Sequence, residues 1–550
     1  MLGLELGQEL DESLRALDGH GVVNAGAQTA DGVPVSEFDR IVLRNGANDR
    51  EFAGVRDELS QKLAQDYGYP VTQHCTPAAV FLNGEYYGYS WVHENYNEDY
   101  LATYFGGNKD NYEIVSNIED ADEGSERALE DYGKLYAYYD RDLTNDSTFA
   151  EYCGLVDIDN LMQYYCMQVF IANKDWPGNN YKAFRYYPSE GEEITSEFQD
   201  GRWRFMFFDA EYAWSLYGDR PNADTLRDLL SGTHMSGESK ALIALLARED
   251  MREKFAAAMS DLTANAFEKN HILETLDELC AMSDSEQFYA LDKGITSEWA
   301  NRETFANSRQ QIRDFADIRE YVVFRNMYKL FEWEKNTYTV SVTGAGGAVT
   351  TLNTQKRNGR GILSAEYNCK CTVPLKAEIA DGWEFVSWEI NGVTYDTPEV
   401  ELNARTAGTD GRIIAKLNTK LSETTDAPLQ IKEISTAKKA GYIVLYNPNS
   451  TEVSTAGLYI TDKPEKLDRW EIPARSVPAY GELLIVTDNN KTESALHQLQ
   501  ANFSLKKGET LILSDNGGNI LAEVPVPDIP EGSVYAFQDY GQYRAVPSAD

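Results

Sequence analysis

The chain has 550 residues, several times the roughly 150 residues of a typical domain, so we expect more than one domain. Hydrophobic residues make up 42% and aromatic residues 12% of the sequence, which excludes a largely disordered protein. Lysine and arginine total 50 against 89 aspartate and glutamate, a net charge of −39. This charge repels polyphosphate backbones and the sequence has no basic stripe, so nucleic acid is a poor partner.

The sequence indicates neither a membrane span nor a zinc site. It has no apolar run of the about 18 residues that a transmembrane helix needs. Its opening segment, Met1 to Asp11, contains acidic residues. An export signal instead has a basic region followed by an apolar region. The protein is therefore either cytoplasmic or represented without its signal. The six cysteines include no Cys-x-x-Cys pair, so we predict neither a disulfide scaffold nor bound zinc.

Hairpins and amphipathic helices alternate in the first part of the chain. Apolar residues at three- and four-residue spacing predict helices over 54–67 and 157–173, the second with an acidic N-cap. Between them, Asn83-Gly84 joins two apolar runs and predicts a β-hairpin, because both residues tolerate positive φ. A buried strand is predicted over 202–208, and helices over most of 224–330.

The helical period disappears after Glu334, and short alternating strands continue to the C-terminus. Asn418 to Pro428 is polar, and we expect it to be a linker. We therefore predict three domains, over residues 1–335, 336–420 and 424–550. The fold class is multidomain: an α+β domain followed by two all-β modules, the last with the regular strand spacing of a sandwich.

Three polar residues have the spacing of a phosphotransfer site. Asp175 follows a predicted helix, Asn180 lies five residues later, and Asp209 ends the predicted buried strand. One carboxylate can accept a hydroxyl proton, while a second carboxylate and an amide oxygen can bind Mg²⁺. The spacing leaves alternatives open, because Asp175 could belong to a turn and Asp209 could cap a helix.

Five short motifs in one order resemble the CotH family of spore-coat, kinase-like proteins, over roughly residues 36–330. The resemblance implies an atypical protein kinase fold that transfers phosphate from ATP to Ser or Thr. The motifs are Ile41-Val-Leu-Arg-Asn-Gly-Ala-Asn-Asp49, Val55-Arg-Asp-Glu-Leu59, Asn83-Gly-Glu-Tyr-Tyr-Gly-Tyr-Ser-Trp-Val-His-Glu94, Asn173-Lys-Asp-Trp-Pro-Gly-Asn-Asn180 and Trp203-Arg-Phe-Met-Phe-Phe-Asp209.

The resemblance also implies a role for each candidate residue. Asp175 would accept the hydroxyl proton, and Asp209 with Asn180 would hold Mg²⁺. Trp203 would lie against the adenine of ATP, with Tyr89 a candidate for its other face. Tyr89 could instead be a strand residue that packs the core. Glu94 is a candidate partner of the phosphate-binding lysine, or else a solvated residue at a strand end.

The N-terminus departs from the family pattern. Members usually open with a strand pair that ends in Pro-Lys and supplies the phosphate-binding lysine, whereas residues 1–35 contain no lysine. The first lysine is Lys62, on the charged face of a predicted helix. The N-terminal lobe of the kinase-like domain could therefore be incomplete. A Lys or Arg beside Asp209 would favour an active enzyme, and its absence would favour a scaffold.

The C-terminal regions resemble cell-surface modules. Asp381 to Gly392 resembles an internalin-B-type repeat, and motifs between Gln430 and Gly508 resemble the lamin-tail, immunoglobulin-like domain. In bacteria such modules accompany exported proteins. The resemblance therefore implies an extracellular or cell-envelope location, and a protein substrate or envelope partner bound through the β modules.

The function favoured by the sequence is ATP- and Mg²⁺-dependent phosphotransfer to Ser or Thr of a protein by a CotH-like kinase. The alternative is a non-catalytic surface or coat scaffold built on a degenerate kinase fold. Glycan hydrolysis by Asp209 and Glu211 is a third class. It is disfavoured because residues two apart on one strand would need an unrelated partner across a cleft.

Overall fold

The computed structural model describes residues 2–5, 35, 38–116, 120–123, 125–218, 221–231, 237–296, 299–380, 383–421, 429–436, 441–487, 499–530, 533–538 and 542–547. The chain divides into two units, Met1–Asn336 and Thr337–Asp550. Most of the N-terminal segment without lysine, Asp381 and Gly382 of the repeat-like motif, and residues 422–428 of the expected linker lie outside the described residues. The three domain boundaries and the incomplete N-terminal lobe stay predictions.

The first unit begins with a four-stranded antiparallel sheet in the order β1-β2-β4-β3. Its hairpin turns at Asn83 and Gly84, with φ angles of 52° and 82°, which confirms the hairpin prediction. Helix α1 follows β2 along the chain. It starts two residues later than the predicted segment 54–67 and ends with it at Tyr67. The elements are β1 (Leu2–Glu5), β2 (Arg40–Arg44), α1 (Arg56–Tyr67), β3 (Cys75–Leu82) and β4 (Glu85–Glu94).

A second antiparallel sheet of the first unit has the order β6-β5-β7-β8. The predicted buried strand over 202–208 is shorter in the structure, where β8 covers only three residues. Its strands are β5 (Tyr112–Ser116), β6 (Asp120–Glu123), β7 (Lys182–Tyr186) and β8 (Arg204–Met206).

Helices form the rest of the first unit, and the predicted helical region after residue 224 is confirmed. They are α2 (Glu98–Phe105), α3 (Glu126–Tyr139), α4 (Asp146–Cys153), α5 (Ile158–Ile171), α6 (Thr225–Leu230), α7 (Gly237–Leu246), α8 (Glu249–Ala264), α9 (Lys269–Asp292) and α10 (Arg302–Phe331). None of the helices in the described part of the chain is long and apolar enough to cross a membrane.

Helix α5 runs through the interior of the first unit. The side chain of Asp157 accepts a hydrogen bond from the backbone N–H of Asn160, which is the predicted acidic N-cap. All its residues except Asp159 and Gln163 are buried. The helix ends where Ala172 takes a left-handed conformation, with φ 55°, and the chain continues directly to Asp175. Asp175 therefore follows directly on a helix that is packed on nearly every side.

The second unit consists of β-sheets and one short helix among its described residues. Its first part has one sheet in the order β11-β10-β13-β16 and one in the order β12-β9-β17-β14-β15. These elements are β9 (Thr337–Thr343), β10 (Ala348–Leu352), β11 (Gln355–Asn358), β12 (Ile362–Asn368), β13 (Val373–Ile379), β14 (Trp383–Ile390), β15 (Val393–Tyr395), β16 (Glu399–Leu402), α11 (Ala404–Ala407) and β17 (Arg412–Leu421). Strand β17 thus enters the stretch expected to be a linker.

The later part of the second unit has sheets in the orders β25-β24-β19-β18-β28-β29, β22-β21-β26-β27 and β20-β23 around an apolar core. Its strands are β18 (Gln430–Ser435), β19 (Tyr442–Tyr446), β20 (Val453–Ser454), β21 (Leu458–Thr461), β22 (Trp470–Glu471), β23 (Ser476–Val477), β24 (Glu482–Val486), β25 (Leu499–Gln500), β26 (Thr510–Asp515), β27 (Ile520–Pro525), β28 (Ser533–Gln538) and β29 (Gln542–Pro547). The expectation of a β-rich C-terminal half is confirmed.

Candidate active site

Asp175, Asn180 and Asp209 lie together in the first unit. The side-chain amide of Asn180 donates to Oδ2 of Asp175 over 3.4 Å and to the backbone carbonyl of Asp209 over 3.5 Å. Asn180 and Asp209 both have positive φ, 59° and 53°, a conformation that Asn and Asp adopt more readily than most residues. The loops that follow α5 and β8 therefore meet at these three residues.

Backbone hydrogen bonds hold the two loops together. Lys174 N–H donates to the carbonyl of Tyr212 over 3.0 Å, and Trp214 N–H donates to the carbonyl of Ile171 over 3.0 Å. The end of α5 is fixed as well, because the buried guanidinium of Arg319 donates to the carbonyls of Val169 and Phe170 over 2.5 and 2.6 Å. The position of Asp175 is therefore set by contacts with distant segments.

Arg44, at the end of β2, lies against Asp209 and is a site residue that the sequence did not single out. Its Nη2 donates to Oδ1 of Asp209 and, over 2.8 Å, to Oε2 of Glu211. Its Nη1 lies 3.3 Å from Oδ2 of Asp57. We call Asp57, Asp209 and Glu211 the carboxylate cluster. Asp209 therefore has a basic residue beside it, which the sequence motifs had not identified.

Other groups position the carboxylate cluster. The backbone N–H of Ala210 donates to Oδ1 of Asp57 over 2.8 Å, which ties the loop after β8 to the first turn of α1. Oε1 of Glu211 accepts hydrogen bonds from the backbone and side-chain nitrogens of Asn48, over 3.1 and 3.2 Å. Each of these two carboxylates therefore has a partner besides Arg44.

The turn that carries Asn48 is itself anchored to α1. The side chain of Asp49 is buried, forms an ion pair with Arg56 and accepts hydrogen bonds from the backbone N–H groups of Ala53, Val55 and Arg56. Asp49 thus satisfies N–H groups that the start of the helix leaves without partners. The motif from Ile41 to Asp49 folds back onto α1, and Arg44 lies within it.

Negative charges dominate the electrostatics of the site. Burial and the charge of Asp209 raise the pKa of Asp175, and the hydrogen bond from Asn180 partly opposes this. Burial raises the pKa of Glu211 to about 7, with the charges of Asp209 and Asp57 adding to the effect and Arg44 opposing it. Burial acts to lower the pKa of Arg44, but the three carboxylates outweigh it and raise that pKa above its ordinary value.

Trp203 and Tyr89, the candidates for adenine contact, have different surroundings. The side chain of Trp203 is 0% exposed, and its ring makes an edge-on contact with Tyr132 at 5.0 Å between centroids. Tyr89 is half-buried on β4, 6.2 Å from the ring of Trp91. The site contacts described above include neither of them, and their contacts with adenine stay predictions.

Glu94 lies at the end of β4 and binds neighbouring groups of the first unit. Its Oε2 accepts a hydrogen bond from the backbone N–H of His74 over 2.8 Å and lies 3.0 Å from the ring nitrogen Nδ1 of His74. Its Oε1 accepts from the hydroxyl of Tyr104 over 2.6 Å. Lys62, the first lysine of the chain, forms an ion pair with Asp66 on the same helix.

A buried group that shares Asp57 with the carboxylate cluster has the residue types of a metal site. Ligand atoms of Asp57, Glu58 and His93 all lie within 4.8 Å of one another. Nε2 of His93 is 3.0 Å from Oε1 of Glu58. Burial raises the pKa of Glu58, and the contact with His93 partly opposes this. The Glu58–His93 pair offers a hydrogen-bonding explanation for this group without any metal.

The donors at the main site fit Mg²⁺. Magnesium prefers oxygen ligands, usually one or two carboxylates together with phosphate and water oxygens. Asp209 supplies a carboxylate that is 18% exposed, and Asn180 supplies a half-buried amide. Glu211 is a further carboxylate nearby. From the sequence it was a candidate only for glycan hydrolysis. Because Glu211 lies only two residues after Asp209 in the sequence, its presence at the same site could have been predicted.

The fold and the site define an α+β domain with a carboxylate-rich site on the loops that follow α5 and β8. The family model described as CotH kinase protein matches residues 23–323, more than half of the chain. The protein therefore belongs to the CotH kinase protein family, as the motifs indicated. The search of curated proteins found no match.

Proposed function

We propose that this protein is an atypical kinase that transfers phosphate from ATP to Ser or Thr of a protein substrate in a Mg²⁺-dependent reaction. The observation that carries the proposal is the meeting of Asp175, Asn180 and Asp209, through the two hydrogen bonds of Asn180. Membership of the CotH kinase protein family supports it. Arg44 beside Asp209 supplies the basic residue that an active enzyme would need there.

Each residue has a role that suits its environment. Asp209 and Asn180 would hold the metal, which supplies charge neutralisation at the phosphates. Asp175 would accept the proton of the acceptor hydroxyl, whose oxygen bonds to the γ-phosphorus as the bond to the β–γ bridging oxygen breaks and ADP leaves. Burial raises the pKa of Asp175, which makes its carboxylate a better proton acceptor.

The remaining assignments are part of the same proposal. Trp203 and Tyr89 would contact the adenine, and Glu94 would act near the phosphates. The internalin-repeat-like and lamin-tail-like identities of the β modules, and the binding of a protein substrate or envelope partner through them, are proposals on the same footing. So is an extracellular or cell-envelope location.

The second candidate function is a non-catalytic surface scaffold on a degenerate kinase fold. The burial of Trp203 favours it, because a ring that is 0% exposed can meet adenine only if neighbours such as Tyr132 move. The hydrogen bonds of Glu94 to His74 and Tyr104 favour it as well, since they occupy both carboxylate oxygens.

Calorimetric titration of the full chain with ATP, with and without Mg²⁺, distinguishes the two functions. An enzyme should bind ATP in a Mg²⁺-dependent manner and transfer label from radiolabelled ATP to a Ser-rich protein or to itself. The Asp175→Asn variant should bind but transfer far more slowly. Absence of both binding and transfer in the wild type would overturn the kinase proposal and favour the scaffold.

A further inference from the structure

Arg44 contacts three carboxylates, whereas an ordinary ion pair has one. Its guanidinium bonds to Asp209 and Glu211 through Nη2, and Nη1 lies 3.3 Å from Asp57. Its side chain is 10% exposed, so water screens these contacts only weakly. One positive charge thus faces three carboxylates, which leaves the immediate group short of positive charge.

A metal ion bound to Oδ1 of Asp209 would use the same oxygen as Arg44. Oδ1 of Asp209 accepts the hydrogen bond from Nη2, while Mg²⁺ binds carboxylate oxygens directly at about 2.0–2.1 Å. A guanidinium and a divalent cation repel each other at such separations. Direct binding of a metal through this oxygen therefore displaces Arg44 or competes with it.

Glu211, Asp57 and the backbone at Asp209 have partners that remain if Arg44 moves. Glu211 retains its two hydrogen bonds from Asn48, and Asp57 retains the hydrogen bond from Ala210. The carbonyl of Asp209 stays bonded to Asn180. Neutral donors therefore hold the carboxylates of Glu211 and Asp57 and the backbone of Asp209, so these three positions do not depend on the guanidinium alone.

The guanidinium has a natural second partner in the proposed reaction. Its planar set of N–H donors matches phosphate oxygens as well as carboxylates.

We propose that Arg44 competes with the divalent metal for Asp209 and Glu211, and that it binds the phosphate chain of the metal–nucleotide complex once the metal displaces it. The inference rests on the proposed function and assigns a phosphate-binding role to an arginine, in a chain whose residues 1–35 contain no lysine. Without nucleotide, Arg44 weakens the binding of the metal. When the metal arrives with a nucleotide, Arg44 strengthens the binding of that nucleotide.

The test compares metal binding with nucleotide binding in Arg44→Met. Mn²⁺ alone, counted by electron paramagnetic resonance, should bind the variant about tenfold more tightly than the wild type, the size expected from removing one charge beside partly buried carboxylates. Mg²⁺–ATP, measured by calorimetry, should bind about tenfold more weakly, because a charge-assisted contact is lost. The opposite signs of these two effects distinguish competition from a general loss of structure.

Two further variants complete the experiment. Arg127→Met, which removes an arginine that pairs with one carboxylate, Glu113, among the described residues, should change neither affinity. Arg44→Lys keeps the charge but cannot bridge several carboxylates, so it should bind Mn²⁺ more tightly than the wild type. It carries the test if circular dichroism shows that Arg44→Met is unfolded.

Two outcomes would overturn the inference. Weaker or unchanged Mn²⁺ binding in the Arg44 variants would show that the arginine does not compete with the metal. Unchanged Mg²⁺–ATP affinity would show that it does not bind phosphate. In both cases a wild type that binds Mg²⁺–ATP would leave the proposed function standing, whereas a wild type that binds neither probe would overturn the proposed function as well.

Discussion

The side-chain amide of Asn180 donates a hydrogen bond to Oδ2 of Asp175 over 3.4 Å, so the two residues of the Asp-x₄-Asn spacing are direct partners. The same amide reaches the carbonyl of Asp209, 29 residues further along the chain. One side chain therefore connects the proposed proton acceptor to the proposed metal-binding segment. Changes at these residues should separate proton acceptance from metal binding.

Asp175→Asn should slow the chemical step by about 10²–10⁴-fold, the usual contribution of a positioned acid or base. Binding of Mg²⁺–ATP should change little, because the amide oxygen of the new side chain can still accept from Asn180. Single-turnover transfer from radiolabelled ATP measures the first effect and calorimetry the second. Asp99→Asn, a surface change beside Lys109, is the control. Wild-type transfer rates in Asp175→Asn would show that another group accepts the proton.

Asp209→Asn should instead weaken Mn²⁺ binding by at least about tenfold, because an amide replaces the carboxylate charge that the metal needs. The fold should survive, since the substitution preserves shape and the backbone bond from Asn180 remains. Metal affinity by electron paramagnetic resonance and secondary structure by circular dichroism check the two statements. A variant that binds Mn²⁺ as tightly as the wild type would remove Asp209 from the metal site.

Trp203→Ala should lower the free energy of unfolding by about 3–5 kcal/mol, because it leaves a cavity in a packed interior. Denaturant unfolding of the full chain measures the change. Trp299→Ala is the matched control, since Trp299 is 69% exposed. Replacing an exposed side chain usually changes the free energy of unfolding by about 0.5 kcal/mol or less. A similar small loss for both variants would mean that the surroundings of Trp203 open readily, which would favour its role against adenine.

Arg319→Met should destabilise the first unit by at least about 3 kcal/mol, because buried carbonyls such as that of Phe170 lose the guanidinium as their donor. The control is Arg325→Met, an exposed arginine on the same helix. Denaturant unfolding measures both, and a loss in Arg319→Met no larger than in the control would contradict the capping role. The acceptors of Arg319 are the carbonyls of Val169, Phe170, Pro221 and Ala223 and the hydroxyl of Thr225.

Gly347→Ala should destabilise the second unit because an added Cβ would lie 2.0 Å from the ring of Trp383, whose indole donates to the carbonyl of Ala456 over 2.9 Å. Gly392→Ala is a matched control, since Gly392 also has positive φ but nothing lies within 4 Å of an added Cβ. The control should show only the backbone strain, about 1–2 kcal/mol. Thermal unfolding followed by tryptophan fluorescence compares the two. Equal losses would mean that the strands around Trp383 yield to the added methyl group.

The sequence by itself determined the features that depend on neighbours in the chain. Asn83-Gly84 specified a hairpin because positive φ at both positions is a local property. The helix after Asp157 followed from a cap and an apolar period, and the Asp175–Asn180 pair from a five-residue spacing within one loop. The resemblance to the CotH family was likewise legible in the order of the motifs, and the family match over residues 23–323 confirms the family.

Only the tertiary structure decided which distant residues share the site. Arg44 and Asp209 are 165 positions apart, and they meet because β2, α1 and the loop after β8 pack together. Nothing in the local pattern at Leu43-Arg44 distinguishes an arginine that binds three carboxylates from one that faces water. The burial of Trp203 is decided in the same way, because exposure depends on what packs against a side chain from elsewhere in the chain.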